Sequence, residues 1–398
     1  MANTILTPTA VTREALRVLH QKCNFIGSIN RQYDDSFARQ GARIGDSLKI
    51  RLPNQYTVRT GATLDVQNTT ESSVTLQIAT QKGVDINFSS NELTLSLDDF
   101  SKRILEPAMA VLAANIESDA LSMYKNVYNV VDRDAQALTL VDILNGRRLL
   151  NENLAPMDDM RVAMLSPLHT VKLVDALKAL FHESTAIKKQ YAEGMMGRTA
   201  GFDFYENTLV TDHTTGTAVN GDTLYNVNGA SQTGSTLTVD TGTTTFLIGD
   251  LITIAGCNRV HPESKADTGT AQQFVITANS GASATSLSIS PSIVTSGATQ
   301  NVSASPTNGG AITKLCAGAS GTINSTMLYH KDAFTFATAD LIMPQGVHFA
   351  AREVYDGISM RIVRDYDINN DKFPCRIDVL YGYKAIRPEN AVRIHADG

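Results

Sequence analysis

From about His213 to Thr326 the chain is dominated by Thr, Ser, Gly, Ala and Asn and carries very few charges, although 19% of the whole sequence is charged. Within this stretch STLTVD, DLITIAG, QQFVITAN and SLSISPSIV alternate apolar and polar residues between Gly, Asn and Pro turn signals, the pattern of a small all-β module. Its expected apolar face runs from Leu237 through Leu251, Ile254 and Phe274 to Ile289. Sequence of mixed helix and strand character precedes the module and resumes after it at MLYHKDAFTFATADLIMP. A composition change that opens and closes inside a continuing domain marks an insertion. It sets a geometric condition: LVTDH, which leaves the host, and STMLYH, which re-enters it, must lie close together.

The host is α+β. TLVDILNGRRLLNENLAP (Thr139 to Pro156) reads as a helix, MRVAMLSP as a buried strand and LHTVKLVDALKAL as a second helix, with further strands in GISMRIVRDYDI and CRIDVLYGYKAI. At 398 residues the chain exceeds what one core normally serves, so two or more domains are expected.

FSSNELTLSLDDFSKRILEPAMAVLAANIESDALSMYKNVYN predicts one long helix over 97–129. Ser96 with Asp98 and Asp99 supplies the N-cap, the capping-box acid and the negative charge favoured at a helix start. Phe100, Ile104, Leu112 and Ile116 then keep the spacing of a single buried stripe, from which Glu117 and Lys125 fall away. Such a helix would run on the order of 45 Å, the length of a beam rather than of a pocket wall.

SLKIRLP and SVTLQIA alternate as the strands of a hairpin around a Gly/Thr/Asn-rich tip at Thr60 to Thr70. A two-stranded hairpin is marginal alone, so a projecting one implies a partner on another molecule. Its charged groups Arg51, Arg59 and Asp65 are the candidate intersubunit contacts. Before it, residues 1–45 form a polar arm with one short amphipathic helix over Thr12 to Phe25.

Several chemistries find no footing. There is no P-loop, GxSxG or HExxH, and no catalytic or cofactor-binding residue is singled out. GMMGRTAG lacks the GxGxxG spacing and reads as a loop. Cys23, Cys257, Cys316 and Cys375 stand far apart, as reduced buried thiols do, rather than as zinc ligands. DYDINND offers oxygens at alternate positions, but Asn370 and Arg376 occupy the calcium-loop glycine and glutamate positions; a solvated turn is expected and no metal. A net charge of −6 argues against tight wrapping of nucleic acid. No apolar run approaches a membrane span, and no signal-peptide pattern opens the sequence, so a soluble cytoplasmic product is expected.

Taken together, NFSSNELTLSLDDFSKRI leading into PAMAVLAANIESD, AGFDFYENTLV before the insertion, LIGDLITIAGC within it and KAIRPENAV near the end resemble the major coat proteins of tailed bacteriophages with the Hong Kong 97 fold. The resemblance is to the P-22-type branch that carries an inserted domain, and it runs from about Asp46 to Ile394. It implies an extended loop at 46–82 and a peripheral domain at 83–138 and 351–372 around a spine helix. It further implies an axial domain at 139–212, 327–350 and 373–398, and a barrel-like β-domain at 213–326. The implied function is an icosahedral shell of hexamers and pentamers enclosing double-stranded DNA, built in the host cytoplasm with scaffolding and portal proteins and matured by expansion. Two features depart from that branch. YNVNGASQTG (Tyr225 to Gly234) has no charge for a bridging salt bridge, and Glu14 is the only acid before Asp34, which leaves no acidic patch for scaffold docking. Two other classes stand beside this reading: a secreted or tail-associated β-rich adhesion protein, and a hydrolase with a lectin-like insertion.

Overall fold

The computed structural model describes residues 23–31, 47–64, 66–68, 71–89, 106–177, 198–219, 221, 223–316, 318–355 and 358–397. Asp65, Phe100 and Ile104 lie outside the described residues, as do residues 12–22 of the arm helix, 97–105 of the long helix and Gly194 to Gly197. The chain divides into two compact units, Met1–Ile50 with Ser73–Leu121 and Phe334–Lys384, and Arg51–Ser72 with Ser122–Ala333 and Ala385–Gly398.

The first unit is a helix on an antiparallel sheet. Thr80–Ser89 pairs with Lys372–Ala385 over ten residues, from Lys372 opposite Ser89 to Tyr381 opposite Thr80. On its other side Lys372–Ala385 pairs with Ile358–Arg364 and with Phe334–Ala339, and Phe349–Tyr355 forms the outer strand against Ile358–Arg364. Alternation explains the sheet's buried face: Ile358, Met360 and Ile362 are buried, as are Ile377, Val379 and Tyr381 on the neighbouring strand. Gly382 lies against the Gln77 carbonyl, where a Cβ would collide with backbone. Phe334–Ala339, Phe349–Tyr355 and most of Lys372–Ala385 lie together in this unit, on one sheet.

The α-helix of this unit is Glu106–Leu121, roughly 24 Å of rise for its 16 residues. The predicted helix over 97–129 is therefore too long at its C-terminal end. The chain tightens into a 3-10 turn at Ser122–Asn126, and Val130 opens a strand. The cause lies in VYNVV, whose β-branched residues favour strand. Asn129 is drawn into the second unit's sheet, where its carbonyl accepts from the Arg393 N–H (2.9 Å). The apolar stripe nonetheless persists through this change, with Leu112, Ile116, Ala120, Met123 and Val127 all buried.

The second unit carries a mixed sheet in the order Val130–Ala137, Ala391–Asp397, Thr322–His330, Arg161–Leu165, Phe202–Glu206 and Arg198–Thr199. The pairs Val130–Ala137 with Ala391–Asp397 and Arg161–Leu165 with Phe202–Glu206 are parallel. The helix Leu140–Glu152, opened by a capping box between Thr139 and Asp142, lies in the connection from Val130–Ala137 to Arg161–Leu165, and Pro167–Leu177 lies in the connection from Arg161–Leu165 to Phe202–Glu206. One core joins helix and sheet through Ile143, Leu150, Ala163, Leu173, Leu328 and Ile394.

Within the same unit, Leu251–Val260, Asp267–Ile276, Ser286–Ile293, Ile312–Leu315 and Gly234–Thr238 form a separate five-stranded antiparallel sheet. Single bridges from Asn226 to Ala311 and from Val227 to Val239 join its two edge regions, so closure into a barrel is partial. Every buried member of its core lies between Ala218 and Ile312. Leu251 departs from the expected apolar face: it packs with Val130, Val275, Cys316 and Ile323 on the opposite side of the sheet. His213–Thr214 pairs with Thr322 and Ile323, so the chain enters and leaves the module side by side.

Candidate functional site

Among the described residues the candidate functional elements are surfaces and joints. The hairpin is held at its base by Ser47–Arg51 against Ser73–Gln77, with Ile50 and Leu76 buried. Beyond the base, side chains replace the ladder. Thr57 N–H donates to the Gln67 side-chain oxygen (2.8 Å), and the Gln67 amide donates back to the Thr57 carbonyl. Arg59 Nη1 donates to the carbonyls of Gly61 and Thr63, the latter at 3.1 Å, and so organises the tip. Arg51 meets Glu71 of its own hairpin at 3.3 Å; with side chains 76% and 53% exposed, that pair contributes about 1 kcal/mol or less. The tip also presents Tyr56, Val58, Leu64 and Val66 to solvent, Val58 at 95% exposure. Four large apolar side chains on an element without a core form a surface that is stabilised by being covered.

On the long helix Leu112 and Ile116 are buried, and so is Glu117, which the stripe left on the polar side. Its carboxylate accepts the backbone N–H groups of Phe25 and Ile26 (3.3 Å for Ile26), at the start of the short helix Asn24–Ser28. That is the place where a helix presents unpaired N–H groups to an anion. A sequence signal existed: an acid near a run of Ala, Ile and Leu has to find donors if it is buried. Nearby, Asp119 takes both Lys82 (2.7 Å) and the Tyr381 hydroxyl.

The third element is the joint between the β-module and the mixed sheet. Gln273 reads the Val130 peptide as a strand would: Val130 N–H donates to its side-chain oxygen (2.8 Å), and its amide donates to the Val130 carbonyl (3.0 Å). Cys316 N–H donates to Asp132 (3.1 Å), and Arg259 pairs with Glu152, which also holds Arg148 (2.8 Å). A crevice of about 220 Å³ opens beside these contacts, lined by Asn129, Arg148, Arg259, Thr270 and Gln273 among others. Gln273→Ala leaves both polar groups of Val130 unpaired and is expected to cost about 1–3 kcal/mol. Faster hydrogen exchange at Val130 in the variant is the corresponding measurement, and an unchanged rate would contradict the assignment.

Deeper in the joint, His213 Nε2 lies 3.0 Å from Asp250 and Nδ1 3.2 Å from the Tyr124 hydroxyl. Asp250 accepts only, so the proton sits on Nε2 and Tyr124 donates to Nδ1. The row Tyr124, His213, Asp250 superficially has the order of a proton relay. It has no reacting end, because Tyr124 is buried and burial pushes its hydroxyl pKa up, away from the anion a nucleophile needs.

Among the described residues no group of three or more His, Cys, Asp or Glu side chains is placed to hold a metal. In DYDINND the oxygens serve the turn itself: Asp367 accepts from Asn369 N–H (2.9 Å) and the Asn370 amide (2.7 Å), and Tyr366 donates to Asp371 (3.0 Å). Cys257 and Cys375 are held up at about 11 by burial, which keeps them as thiols. No described helix is long and apolar enough to cross a membrane.

A family model described as "P22 coat protein - gene protein 5" matches residues 38–394. No curated protein sequence matches the chain. Among solved structures it is similar to that of Mycobacterium phage Che8, at 11% identity and a TM-score of 0.48, covering 92% of this chain and 89% of that one. The asymmetric unit of the bacteriophage PhiM1 mature capsid is similar at 10% identity and a TM-score of 0.44, covering 91% and 84%. A virus-like particle from Pyrococcus furiosus is similar at 8% identity and a TM-score of 0.41, covering 97% and 98%. Similarities this distant say nothing about the roles of individual residues.

Proposed function

Since the chain belongs to the P22 coat protein family, and is thereby a structural, non-enzymatic component of a phage capsid built from many copies of itself, we propose that these copies gather as hexamers and pentamers into an icosahedral shell around double-stranded DNA. Assembly proceeds in the host cytoplasm through a scaffolded procapsid with a portal, and the procapsid matures by expansion. The hairpin is the extended loop, lying over an adjacent subunit; the long helix is the spine of a peripheral domain; the module is an inserted domain on the outer surface. The observation that carries this reading is the hairpin tip, whose exposed Val58, Leu64 and Val66 have no core of their own. A net charge of −6 fits an inner wall over which packaged DNA slides rather than adheres.

Negative-stain electron microscopy of the purified protein, alone and with the products of neighbouring genes, tests the reading. Shells or capsomers are expected, and a monomer that never assembles would overturn it. Arg59→Glu removes the donors that order the tip and reverses its charge, at a site exposed to solvent. It is expected to impair shell yield while leaving the melting temperature of the subunit unchanged, since surface changes of this kind stay within about 0.5 kcal/mol. A normal yield of shells would remove the hairpin from the list of assembly contacts.

A further inference from the structure

On the face of the mixed sheet that the β-module covers, an arginine and a histidine keep polar atoms without a hydrogen-bond partner among the described residues. Arg393 and His395 stand two residues apart on Ala391–Asp397, hence on one face, and are 0% and 1% exposed. Arg393 Nη2 donates to the Gly249 carbonyl of the module (2.9 Å), and its guanidinium lies over the Tyr124 ring. Its Nε and Nη1 have no hydrogen-bond partner among the described residues, nor has either ring nitrogen of His395, nor the hydroxyl of Ser325, which sits opposite His395 on the adjacent strand.

The elements around His395 bring other charged and titratable groups near it. On the other adjacent strand Asp132 stands opposite it, exposed and bonded to the Cys316 N–H. The module contributes His213, its ring 6.1 Å from that of His395, together with Asp250. Asp250 is already engaged by His213 and by the N–H groups of Gly216 (3.0 Å) and Leu247 (2.8 Å). Lys125 on the 3-10 turn adds positive charge near His213, and Asp212 precedes His213 in the chain. From the helix Pro167–Leu177 comes His169, bonded to Thr326 (2.7 Å) and to the Ala396 carbonyl (3.2 Å).

We propose that this cluster is a proton-operated latch: neutral His395 and His213 hold the β-module on the mixed sheet, and acidification below about pH 6.5 releases the module while its own core stays folded. A proton on His395 would set a second cation beside Arg393 in a buried site where its ring nitrogens have no hydrogen-bond partner among the described residues, whereas in the released state water solvates it. Burial, then Arg393, His213 and His169, hold the His395 pKa well below its ordinary value; burial also lowers that of His213, outweighing the pull of Asp250. A base with a depressed pKa in the closed state contributes its full share to closure above the ordinary histidine value. That share is lost as the pH falls from there toward the closed-state pKa. Each excluded proton weakens closure about tenfold per pH unit in this window, and two weaken it about a hundredfold. The apolar core of the module is built from hydrophobic side chains, and the buried Lys314 beside Ile312 gives its Nζ to the carbonyls of Gly216, Ala218 (2.7 Å) and Gly318, so no histidine of this core answers to the same change.

The test is amide hydrogen exchange of the full chain at pH 7 and pH 5, corrected for intrinsic rates. Residues 122–130, 249–252 and 391–396 are expected to lose protection by at least tenfold at pH 5, while 286–289 keep theirs, and His395→Leu is expected to abolish most of the loss. Equal protection at both pH values, or simultaneous loss at 286–289, would overturn the proposal. Should His395→Leu fail to fold, the ring resonances of the wild-type protein decide. His395 is expected to stay neutral until the joint opens, and an ordinary titration near pH 6.5 with the joint still protected would sink the idea.

Discussion

Phe274→Ala is expected to cost the β-module about 3–5 kcal/mol, the range for removing a buried aromatic ring. Phe274 is fully buried beside Ile252, Ile276, Leu287 and Phe246, in a core to which residues outside the module contribute nothing. A domain of this size holds roughly 5–15 kcal/mol in total, so the change removes about a fifth of its stability or more. For about 100 residues, that lowers the melting temperature by on the order of 15–30 °C. Because the core is self-contained and the two ends of the segment pair with each other, residues 213–326 expressed alone are expected to melt cooperatively with a β-type circular dichroism spectrum. Leu251→Ala is the informative contrast. Leu251 faces Val130 and Ile323 and not the module's core, so its loss should spare the isolated segment and destabilise the full chain. A disordered wild-type segment, or equal damage to the isolated segment from both variants, would show that the module borrows its core from the host.

Legibility in the sequence followed how local each cause is. Strand positions could be read in the module because alternation depends on neighbours two apart, and Leu237, Ile254, Phe274 and Ile289 do lie in one core. Leu251 was assigned to the same face and lies on the other, since a strand buried on both faces shows no alternation to separate them. The helix Leu140–Glu152 lies within the stretch Thr139 to Pro156 that read as a helix, whereas the end of the long helix carried no glycine or proline stop and was set by pairing with a strand about 260 residues away. Arg51 and Arg59 were picked out as charges on a coreless element. Their bonds to Glu71 and to the Gly61 and Thr63 carbonyls depend on how the tip folds back, which spacing does not encode. Least legible was the joint. Arg393 and His395 sit in RIHAD, in which spacing offers no partner for either, and only the sheet order brings them under His213 and Asp250.

Leu112→Ala is expected to destabilise the first unit by about 2–5 kcal/mol and to make folding of the subunit temperature-sensitive. A helix of 16 residues is marginal in water by itself, so Glu106–Leu121 owes its persistence to the face it buries, on which Met109, Leu112, Ala113 and Ile116 are all nearly inaccessible. Glu117 shares that burial and holds Phe25 and Ile26 of the arm, so loosening the stripe also loosens the site where the arm is tied. Val111→Ala separates burial from helix composition: Val111 is 58% exposed on the same helix, and its replacement is expected to change stability by no more than about 0.5 kcal/mol. Thermal melts of the two purified subunits, with shell yields at 25 and 37 °C (roughly the range over which a loss of this size is felt), distinguish the outcomes. If Leu112→Ala melts like wild type, the stripe does not carry the unit and the long helix must be held by its ends. If it melts early yet assembles normally at the higher temperature, contacts between neighbouring copies restore what the core has lost, because binding that occurs only in the folded state shifts the folding equilibrium by mass action.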